Sequence, residues 1–525
     1  MHTTENAIDS HVHRRRWATL AVLCLSLFIV VMDGTIVNVA LPSLVTELGA
    51  TTRQLQWVVD AYLLVFTGLL LAAGSFGDRY GRRRALAIGL VAFAITSVLA
   101  GSADSPATLI GSRALMGIGA ALIFPATLAI LTNSFANPKE RAAAIGLWSA
   151  MSGMAVAAGP IIGGWLLEHF WWGSVFFINV PLIAVALVGV ATIVPESKDR
   201  ATPPLDIPGL VLSIAAITTV VYTIIEAPEW GWASATTLLG AVASVALVAT
   251  FIWWELRVEH PMLPVRIFRN RRFSAASLSI TSAFFALFGF IFLITQYFQL
   301  VRGYSPLGAG VRTIPVAASI AIASVVSPKI VERIGTTKVV SAGLASMAIG
   351  FFWVSTASDV TPYAEIVGQM IFLGLGLGMT TAPATESIMG SLPADKAGVG
   401  SAVNDTTREL GGTLGVAVIG SIFSSVYVGA LRTGSVFAQL PEIAQRATED
   451  SVGATAIVAE RMPQAIVPAY LAEVSQAFLD GLQIACLVTG GVALVGSILA
   501  ALLLPARASG PAPEDVAELD AALVD

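Results

Sequence analysis

The sequence predicts an all-α membrane protein with fourteen spanning helices, and three observations carry this prediction. The chain of 525 residues is 56% hydrophobic and only 12% charged, and its mean hydropathy is +0.80. Its apolar runs repeatedly reach the about 20 residues that a helix needs to cross a bilayer. Its basic residues gather at alternate ends of those runs. So little polar surface excludes a soluble protein of several domains.

The first apolar run follows Arg14, Arg15 and Arg16 and continues to Leu41 without a small-residue cleavage site. This pattern favours an uncleaved first helix over a signal peptide. An even number of crossings then places both termini on the same side of the membrane, which we expect to be the cytoplasm. The fourteen predicted helices cover residues 17–41, 54–76, 85–102, 107–131, 143–167, 174–194, 207–226, 236–256, 273–300, 312–332, 339–356, 363–385, 400–426 and 482–505.

The distribution of lysine and arginine supports this topology. Of the 29 Lys and Arg residues, Arg113 and Arg408 lie inside predicted helices. Only six lie on the predicted outer side, namely Arg53, Arg302, Arg312, Arg432, Arg446 and Arg461. All the others lie in segments predicted to be cytoplasmic, and this asymmetry is the one that sets the orientation of membrane proteins.

The turn between the second and third predicted helices is the most informative stretch. It places Gly74, Asp78, Arg79, Gly81 and Arg82 in the pattern G-x-x-x-D-R-x-G-R-R. A generic basic loop would explain the charges but not this spacing. The pattern resembles the loop 2-3 signature of the major facilitator superfamily. The resemblance implies that Asp78 and Arg82 form a gating relay, in which Asp78 interacts with the second half of the protein.

The same turn recurs in the second half of the chain. Aligning 74–90 with 328–344 without a gap pairs Arg79 with Arg333 and Gly81 with Gly335. A chance match of two glycine-rich basic turns is the alternative. Two parallel six-helix halves, related by an axis along the membrane normal, explain the repeat. The two predicted helices between them must then be an insertion, which gives six, two and six helices.

This arrangement predicts how the chain divides. We expect an N-terminal bundle, an inserted pair, a C-terminal bundle with a polar outer loop that contains short helices, and an acidic cytoplasmic tail. These segments cover residues 1–200, 201–260, 261–505 with the loop 427–481, and 506–525.

Further motifs narrow the resemblance to the fourteen-helix drug/proton antiporters, the QacA-like and EmrB-like branch of the superfamily. Residues 32–42, MDGTIVNVALP, resemble their helix 1 signature, and 109–121 resemble that of helix 4. The segment 176–181, FFINVP, is also similar. The resemblance implies a proton-coupled antiporter that exports lipophilic, mainly cationic drugs, dyes or biocides across the cytoplasmic membrane.

The fifth predicted helix carries Gly159, Pro160, Gly163 and Gly164, which resemble the antiporter signature of this branch. Small residues let membrane helices approach closely, and a proline bends a helix so that one end can move against its neighbours. A merely close-packed helix is the alternative.

Buried carboxylates are the residues that we expect to bind and release protons. The sequence has no nucleotide-binding P-loop, and its five histidines lie in tails or loops. A charged side chain at the centre of a bilayer costs about 2.5 to 3.5 kcal/mol, and burial favours the protonated form of a carboxylate. The deepest acids are Asp33, Asp60, Asp405 and Glu409. We hypothesise that Asp33 and Asp60 face the central cavity and that Arg113 tunes their protonation. For Asp33, the alternative is a buried ion pair that joins helices 1 and 4.

Two neighbouring patterns extend this hypothesis. Trp57 precedes Asp60 by three residues and shares its helical face, and an aromatic ring beside a carboxylate suits a lipophilic cation. An interfacial tryptophan is the alternative. Asp405, Arg408 and Glu409 share one face of helix 13, where Glu409 is the candidate and an internal salt bridge the alternative. Four other acids are expected to be solvated helix ends: Glu226, Glu255, Glu365 and Glu386.

The remaining predictions concern partners. We expect small-molecule substrates, protons and the lipid bilayer, with no cofactor, metal, nucleic acid or enzymatic activity. The expected form is a monomer in the inner (cytoplasmic) membrane, and a periplasmic adaptor stays open. A dedicated exporter of an endogenous metabolite or antibiotic is the alternative, and a non-transporting membrane sensor or scaffold is a further one.

Overall fold

A computed structural model of the chain describes residues 2–135, 137–198, 206–391 and 397–505. Within these residues, fourteen helices are long and apolar enough to cross a membrane, so the predicted number is confirmed. The same residues form helices and turns but no strand. The predicted acidic tail, 506–525, lies outside the described residues.

The fourteen helices are labelled α1 to α14 in chain order. Two of them, α6 and α10, are each interrupted by a short break. The bounds are α1 His2–Leu48, α2 Thr52–Tyr80, α3 Arg82–Gly101, α4 Pro106–Ser134, α5 Pro138–His169, α6 Ser174–Phe177 with Asn179–Thr192, α7 Ile207–Trp230, α8 Ala235–Glu255, α9 Arg271–Gln296, α10 Pro306–Val311 with Ile314–Ile334, α11 Thr336–Val354, α12 Tyr363–Met389, α13 Ala397–Leu431 and α14 Val467–Leu503.

The last two helices extend beyond their predicted apolar runs. α13 has 35 residues and α14 has 37, whereas a bilayer requires about 20. Hydropathy detects only the apolar part of a helix, so these polar extensions were assigned to the outer loop. Helical periodicity over 468–480 indicated a short helix there, and the structure joins it to α14. Between them, Glu442–Asp450 and Ala454–Glu460 form short helices. The segment 432–466 is therefore a folded cap.

The bundle has two ends, which are named by their residues. The basic face carries Arg82–Arg84, at the turn between α2 and α3, and the loop face carries the cap. The cap is fixed on α13 and α14, because the Tyr427 hydroxyl donates to the Thr448 carbonyl at 3.0 Å and the hydroxyls of Thr448 and Tyr470 lie 2.6 Å apart.

The two six-helix halves repeat the same packing, as predicted. In the first half, α1 packs against α5, α2 against α4, and α3 against both α4 and α6. In the second half, α9 packs against α13, α10 against α12, and α11 against both α12 and α14. The inserted helix α7 lies against α2 and α13, and so it contacts both halves. The predicted segment boundaries stay predictions, because 199–205 lie outside the described residues.

The aligned glycines of the two basic turns occupy equivalent positions. Gly81 alone separates α2 from α3, and Gly335 alone separates α10 from α11. Their φ angles are 115° and 87°, in the region that a side chain disfavours. The Gly81 N–H donates to the Gly77 carbonyl at 2.9 Å, and the Gly335 N–H donates to the Val331 carbonyl at 2.8 Å. A sharp reversal of direction therefore requires glycine at both sites.

Glycines also fix the contact of the third and fourth helices of each half. A Cβ on Gly89 in α3 would lie 2.9 Å from the Gly119 carbonyl oxygen of α4. A Cβ on Gly343 in α11 would lie 2.8 Å from the Gly376 carbonyl oxygen of α12. Both contacts bring two backbones together, which is how membrane helices associate without a hydrophobic driving force.

Gly119→Val should destabilise the protein by about 1 to 3 kcal/mol, because the added side chain overpacks this contact. Gly111→Val is the matched control on the same helix, since a Cβ there meets no described atom within 4 Å. The measurement is thermal unfolding of the two purified variants in detergent. We expect a lower Tm for Gly119→Val, and equal Tm values would contradict this account of the contact.

Candidate functional site

Asp33 of α1 and Arg113 of α4 form a fully buried ion pair. Arg113 Nη1 contacts Asp33 Oδ2, and neither side chain has exposed surface. Arg113 Nε also donates to the Val58 carbonyl at 3.1 Å. The guanidinium lies 4.2 Å from the centre of the Tyr62 ring, which is a cation–π distance. A charge that is fully removed from water needs a partner of opposite charge, and Asp33 and Arg113 are each other's partner.

Asn179 completes the contacts of Asp33, and the sequence analysis did not select it. Its Nδ2 donates to Asp33 Oδ1 at 2.8 Å and to Ser97 Oγ at 3.3 Å. Both oxygens of Asp33 therefore accept hydrogen bonds. In this conformation Asp33 matches the stated alternative, an ion pair that joins α1 to α4. The signal that could have found Asn179 is the FFINVP segment, which carries no charge.

Asp60 lies apart from this pair, on another side of α2. The Tyr62 ring faces Arg113, and a residue two positions away points about 200° around the helix axis. The structure therefore does not bring Asp60 to Arg113 as the hypothesis expected. Asp60 is fully buried, and neither carboxylate oxygen has a hydrogen-bond partner among the described residues.

The neighbours of Asp60 along α2 show which helices surround it. One turn before it, Gln56 donates to the Ala417 carbonyl and the Ser421 hydroxyl of α13, both at 3.4 Å. One turn after it, Leu64 packs in a cluster with Val221 of α7 and with Ala417. Asp60 is thus in the seam where α2, α7 and α13 meet, among mostly apolar side chains.

Trp57 faces the inserted helix α7. Its indole Nε1 donates to Glu226 Oε1 at 3.3 Å, and its ring lies 5.8 Å from the Tyr222 ring. Arg53 pairs with the same Glu226 at 2.8 Å. The prediction that Glu226 is a solvated helix end is wrong, because these groups bury it. Sequence alone did not indicate where α7 docks, so this contact was missed. The same prediction is wrong for Glu255, which is buried and accepts from the Leu263 N–H at 3.0 Å.

The charged groups of α13 form a separate cluster in the second half. Arg408 Nη1 lies 4.0 Å from Asp405 Oδ1, and Arg408 Nη2 donates to the Thr385 hydroxyl of α12 at 3.0 Å. Asn404 Nδ2 donates to Asp405 at 3.3 Å. Asp405 is buried, whereas Arg408 and Glu409 are half-buried. Arg408 thus lies beside Asp405, and part of the Glu409 side chain is exposed.

Polar contacts between the halves seal the bundle near the loop face. Pro42 has no N–H, so the Asn38 carbonyl in α1 lacks its helical donor. Thr295 of α9 donates to that carbonyl at 3.0 Å. Gln299 donates to the neighbouring Val39 carbonyl at 3.0 Å. These residues were also missed, because a carbonyl freed by proline has no signature in the partner helix.

The predicted small residues of α5 divide between two neighbours. A Cβ on Gly163 would lie 2.6 Å from Ile36 Cγ1 of α1, while Gly159 packs against α1 beside Thr35. A Cβ on Gly164 would lie 2.6 Å from the Pro306 carbonyl oxygen of α10, and Pro160 contacts Gly310. The motif therefore joins α1 within the first half to α10 of the second.

This seam between α5 and α10 opens toward the basic face. Gly146 and Gly153 lie on the same side of α5 as Pro160 and Gly164, by helical spacing. A Cβ on either would meet no described atom within 4 Å. The two halves are therefore in contact near the loop face and apart near the basic face.

The basic turn contacts its own half. Arg82 Nε donates to Asp78 Oδ1 at 2.7 Å, and the Arg83 backbone N–H donates to Glu196, just after α6, at 3.1 Å. In the part of the chain that the structure describes, no hydrogen bond or ion pair joins Asp78 to the second half. Separation of the halves at this face explains that arrangement.

The other two residues of the predicted gating loop also have neighbours in the first half. A Cβ on Gly74 would lie 3.8 Å from Pro125 Cβ of α4, and the Arg79 guanidinium lies 5.8 Å from the centre of the Tyr80 ring.

Two parallel six-helix repeats that meet at one end and separate at the other define a membrane transporter that works by alternating access. Residues 23–416 match the family model of the Major Facilitator Superfamily, and the chain belongs to this superfamily.

Several relatives align over almost the whole chain. The multidrug efflux pump LfrA of Mycolicibacterium smegmatis is 36% identical over 92% of this chain and 96% of its own. The methyl viologen resistance protein SmvA of Salmonella typhimurium is 34% identical over 92% and 97%. The tetracenomycin C resistance and export protein of Streptomyces glaucescens is 33% identical over 96% and 95%.

Solved structures share the fold. A bacterial homologue of the human lysosomal transporter Spinster, in an inward-facing and unoccupied conformation, aligns with a TM-score of 0.65 and 16% identity, covering 94% of this chain and 99% of that one. A D-xylose–proton symporter aligns with a TM-score of 0.59 and 14% identity, covering 94% and 98%. At these identities, the likeness concerns the fold alone.

Thr295→Val should favour opening at the loop face, because valine keeps the shape of threonine and leaves the Asn38 carbonyl without a donor. Losing one hydrogen bond of about 1 kcal/mol would change the ratio of closed to open molecules about fivefold. The measurement is the distance distribution between spin labels at Glu47 and Val360, two exposed loop-face residues of different halves.

Thr489→Val is the control for that experiment. Thr489 is buried, and its hydroxyl donates to the Ala485 carbonyl of its own helix at 2.7 Å. This variant should leave the distances unchanged. A Thr295→Val distribution identical to that of the control would show that the contact does not hold the loop face closed.

Proposed function

We propose that the protein is a proton-coupled antiporter that exports lipophilic, mainly cationic drugs, dyes or biocides. Asp60 carries this proposal. An ionised carboxylate without a partner is too costly to persist in an apolar seam. Asp60 therefore holds either a proton or a cation, and competition between these two ligands for one acid is the simplest form of antiport.

The second half supplies another acid of the same kind. Glu409 is half-buried, and Arg408 on the same helix pairs with Asp405. We assign Asp405 and Arg408 a structural pairing and Glu409 the exchange of protons or cations. Trp57 acts in this proposal as a positioning contact for α7 and not as a direct substrate contact, since its indole is bonded to Glu226.

The names of the relatives support a cationic, lipophilic cargo. LfrA is a multidrug efflux pump, and SmvA confers resistance to methyl viologen, which is an organic dication. The similarity to the tetracenomycin C export protein favours the second candidate, a dedicated exporter of an antibiotic or endogenous metabolite. The two candidates share a fold and differ in the breadth of their substrates.

The orientation follows from charge. The chain is a multi-pass membrane protein, and the positive-inside rule assigns its arginine-rich basic face to the cytosol. We propose that both termini are cytoplasmic, that the membrane is the bacterial inner membrane, and that the conformation described is inward-open. In this arrangement substrate enters near the basic face and leaves when the contacts at Thr295 and Gln299 separate. We propose that the protein is a monomer. Dependence on a periplasmic adaptor would be tested in intact cells.

Asp60→Asn should lower proton-driven export of ethidium by about tenfold or more, equivalent to at least 1.4 kcal/mol. The amide has the shape of the acid but neither releases a proton nor neutralises a cation. The measurement is ethidium movement in inverted vesicles under an imposed pH gradient. Asp104→Asn, an exposed acid between α3 and α4, is the matched control and should transport normally.

The same assay separates the candidate functions. Movement of many chemically unrelated dyes supports the multidrug exporter. Proton movement without dye movement supports the dedicated exporter, and absence of both supports a sensor or scaffold. Unchanged ethidium export by both Asp60→Asn and Glu409→Gln would remove these acids from the mechanism.

A further inference from the structure

Asn179 occupies the side of Asp33 that Arg113 leaves free. Its side chain is fully buried. One amide hydrogen points to Asp33 Oδ1, 2.8 Å from Nδ2, and the other points to Ser97 Oγ, 3.3 Å away. Its own Oδ1 has no hydrogen-bond partner among the described residues. The amide is thus oriented to donate, and its unsatisfied oxygen indicates that contact with the carboxylate decides this orientation.

The sequence places this amide by breaking α6. Pro181 has no N–H to offer the Phe177 carbonyl, and α6 is interrupted at Ile178, between Phe177 and Asn179. Asn179 is the first residue after that break. The polar side chain therefore lies at this interruption and faces Asp33 of α1, close to Phe176, whose ring lies 5.7 Å from the Arg113 guanidinium.

Charged groups from three other helices surround Asp33. Arg113 of α4 and the Tyr62 ring of α2 face it, Glu409 of α13 interacts electrostatically with the same Tyr62, and Asp60 lies on another side of α2. Ser97 of α3 and the small residues of α5 around Gly159 complete the contact and do not titrate. Asn179 is thus the main neutral group placed to favour one protonation state of Asp33 over the other.

We infer that Asn179 is a positioning residue for the proton step, and this inference rests on the proposed antiport. An amide that donates to a carboxylate favours the ionised form. The same amide, turned around, offers its oxygen to a protonated acid. Asn179 therefore holds the Asp33 carboxylate in place against Arg113 in the inward-open state, and when the ion pair separates its amide oxygen accepts a hydrogen bond from protonated Asp33.

The test is the pH dependence of ethidium transport by Asn179→Leu, in inverted vesicles with the gradient held constant while the pH of both sides changes. Leucine keeps the branching of asparagine at Cγ but has no donor. Losing one charge-assisted hydrogen bond should move the pH of half-maximal transport upward by about one unit. Transport at the new optimum should stay within about twofold of the wild type, since the gross contacts are kept.

Two further variants separate positioning from packing. Ser97→Ala removes the second partner of the amide and should move the profile in the same direction by a smaller amount. Thr96→Val is the matched control, because the Thr96 hydroxyl donates only to carbonyls of its own helix. This variant should keep the wild-type profile.

Each outcome bears on the inference. An unchanged profile in Asn179→Leu, or equal loss of transport at every pH with normal ethidium binding, would overturn it. If Asn179→Leu fails to fold, the comparison of Ser97→Ala with Thr96→Val decides, and identical profiles overturn the inference. Absence of gradient-driven ethidium transport in the wild-type protein would instead refute the proposed function.

Discussion

The cost of placing charge in a low-dielectric interior governs this molecule. Asp33 and Arg113 lie where neither could remain charged alone, and their pairing, with Tyr62 beneath the guanidinium, joins α1, α2 and α4 in the conformation described. Removing one partner from such a pair costs about 3 to 5 kcal/mol, because the other charge is left buried. Asp60 has no such partner. The contrast between a neutralised acid and an unpartnered one gives the two acids different roles.

Proline residues are the second feature that determines how the helices contact one another. In a membrane each backbone polar group must find a partner within the protein, and each proline removes one donor from a helix. Pro42 frees the Asn38 carbonyl, which Thr295 of the other half then takes. Pro181 accompanies the break that places Asn179. The helical hydrogen bond lost at Pro42 thus becomes a contact between the two halves, and such a contact can separate at little cost when water replaces it.

The fold was largely predictable from the sequence, and the site was predictable only in its residue types. Hydropathy measures the length of the apolar runs, so the number of helices was confirmed, and Gly81 and Gly335, whose positive φ angles favour glycine, marked the repeat. Spacing along α2 also placed Trp57 and Asp60 near one another. The local sequence does not specify which neighbouring helix a given helix face contacts. Tyr62 rather than Asp60 therefore proved to be the α2 residue beside Arg113, and Glu226 was wrongly expected to be solvated.

The position of α7 connects these points. This inserted helix lies against α2 and α13, the two helices whose seam encloses Asp60, and it is held there by Arg53 and Trp57 through Glu226. α2 belongs to the first half and α13 to the second. A movement of one half against the other must therefore change the surroundings of Asp60. The inserted helix is attached to both walls of this seam, since Trp232 just after α7 also donates to the Ser425 hydroxyl of α13 at 3.0 Å, and so it covers an unpartnered acid at the junction of the two halves.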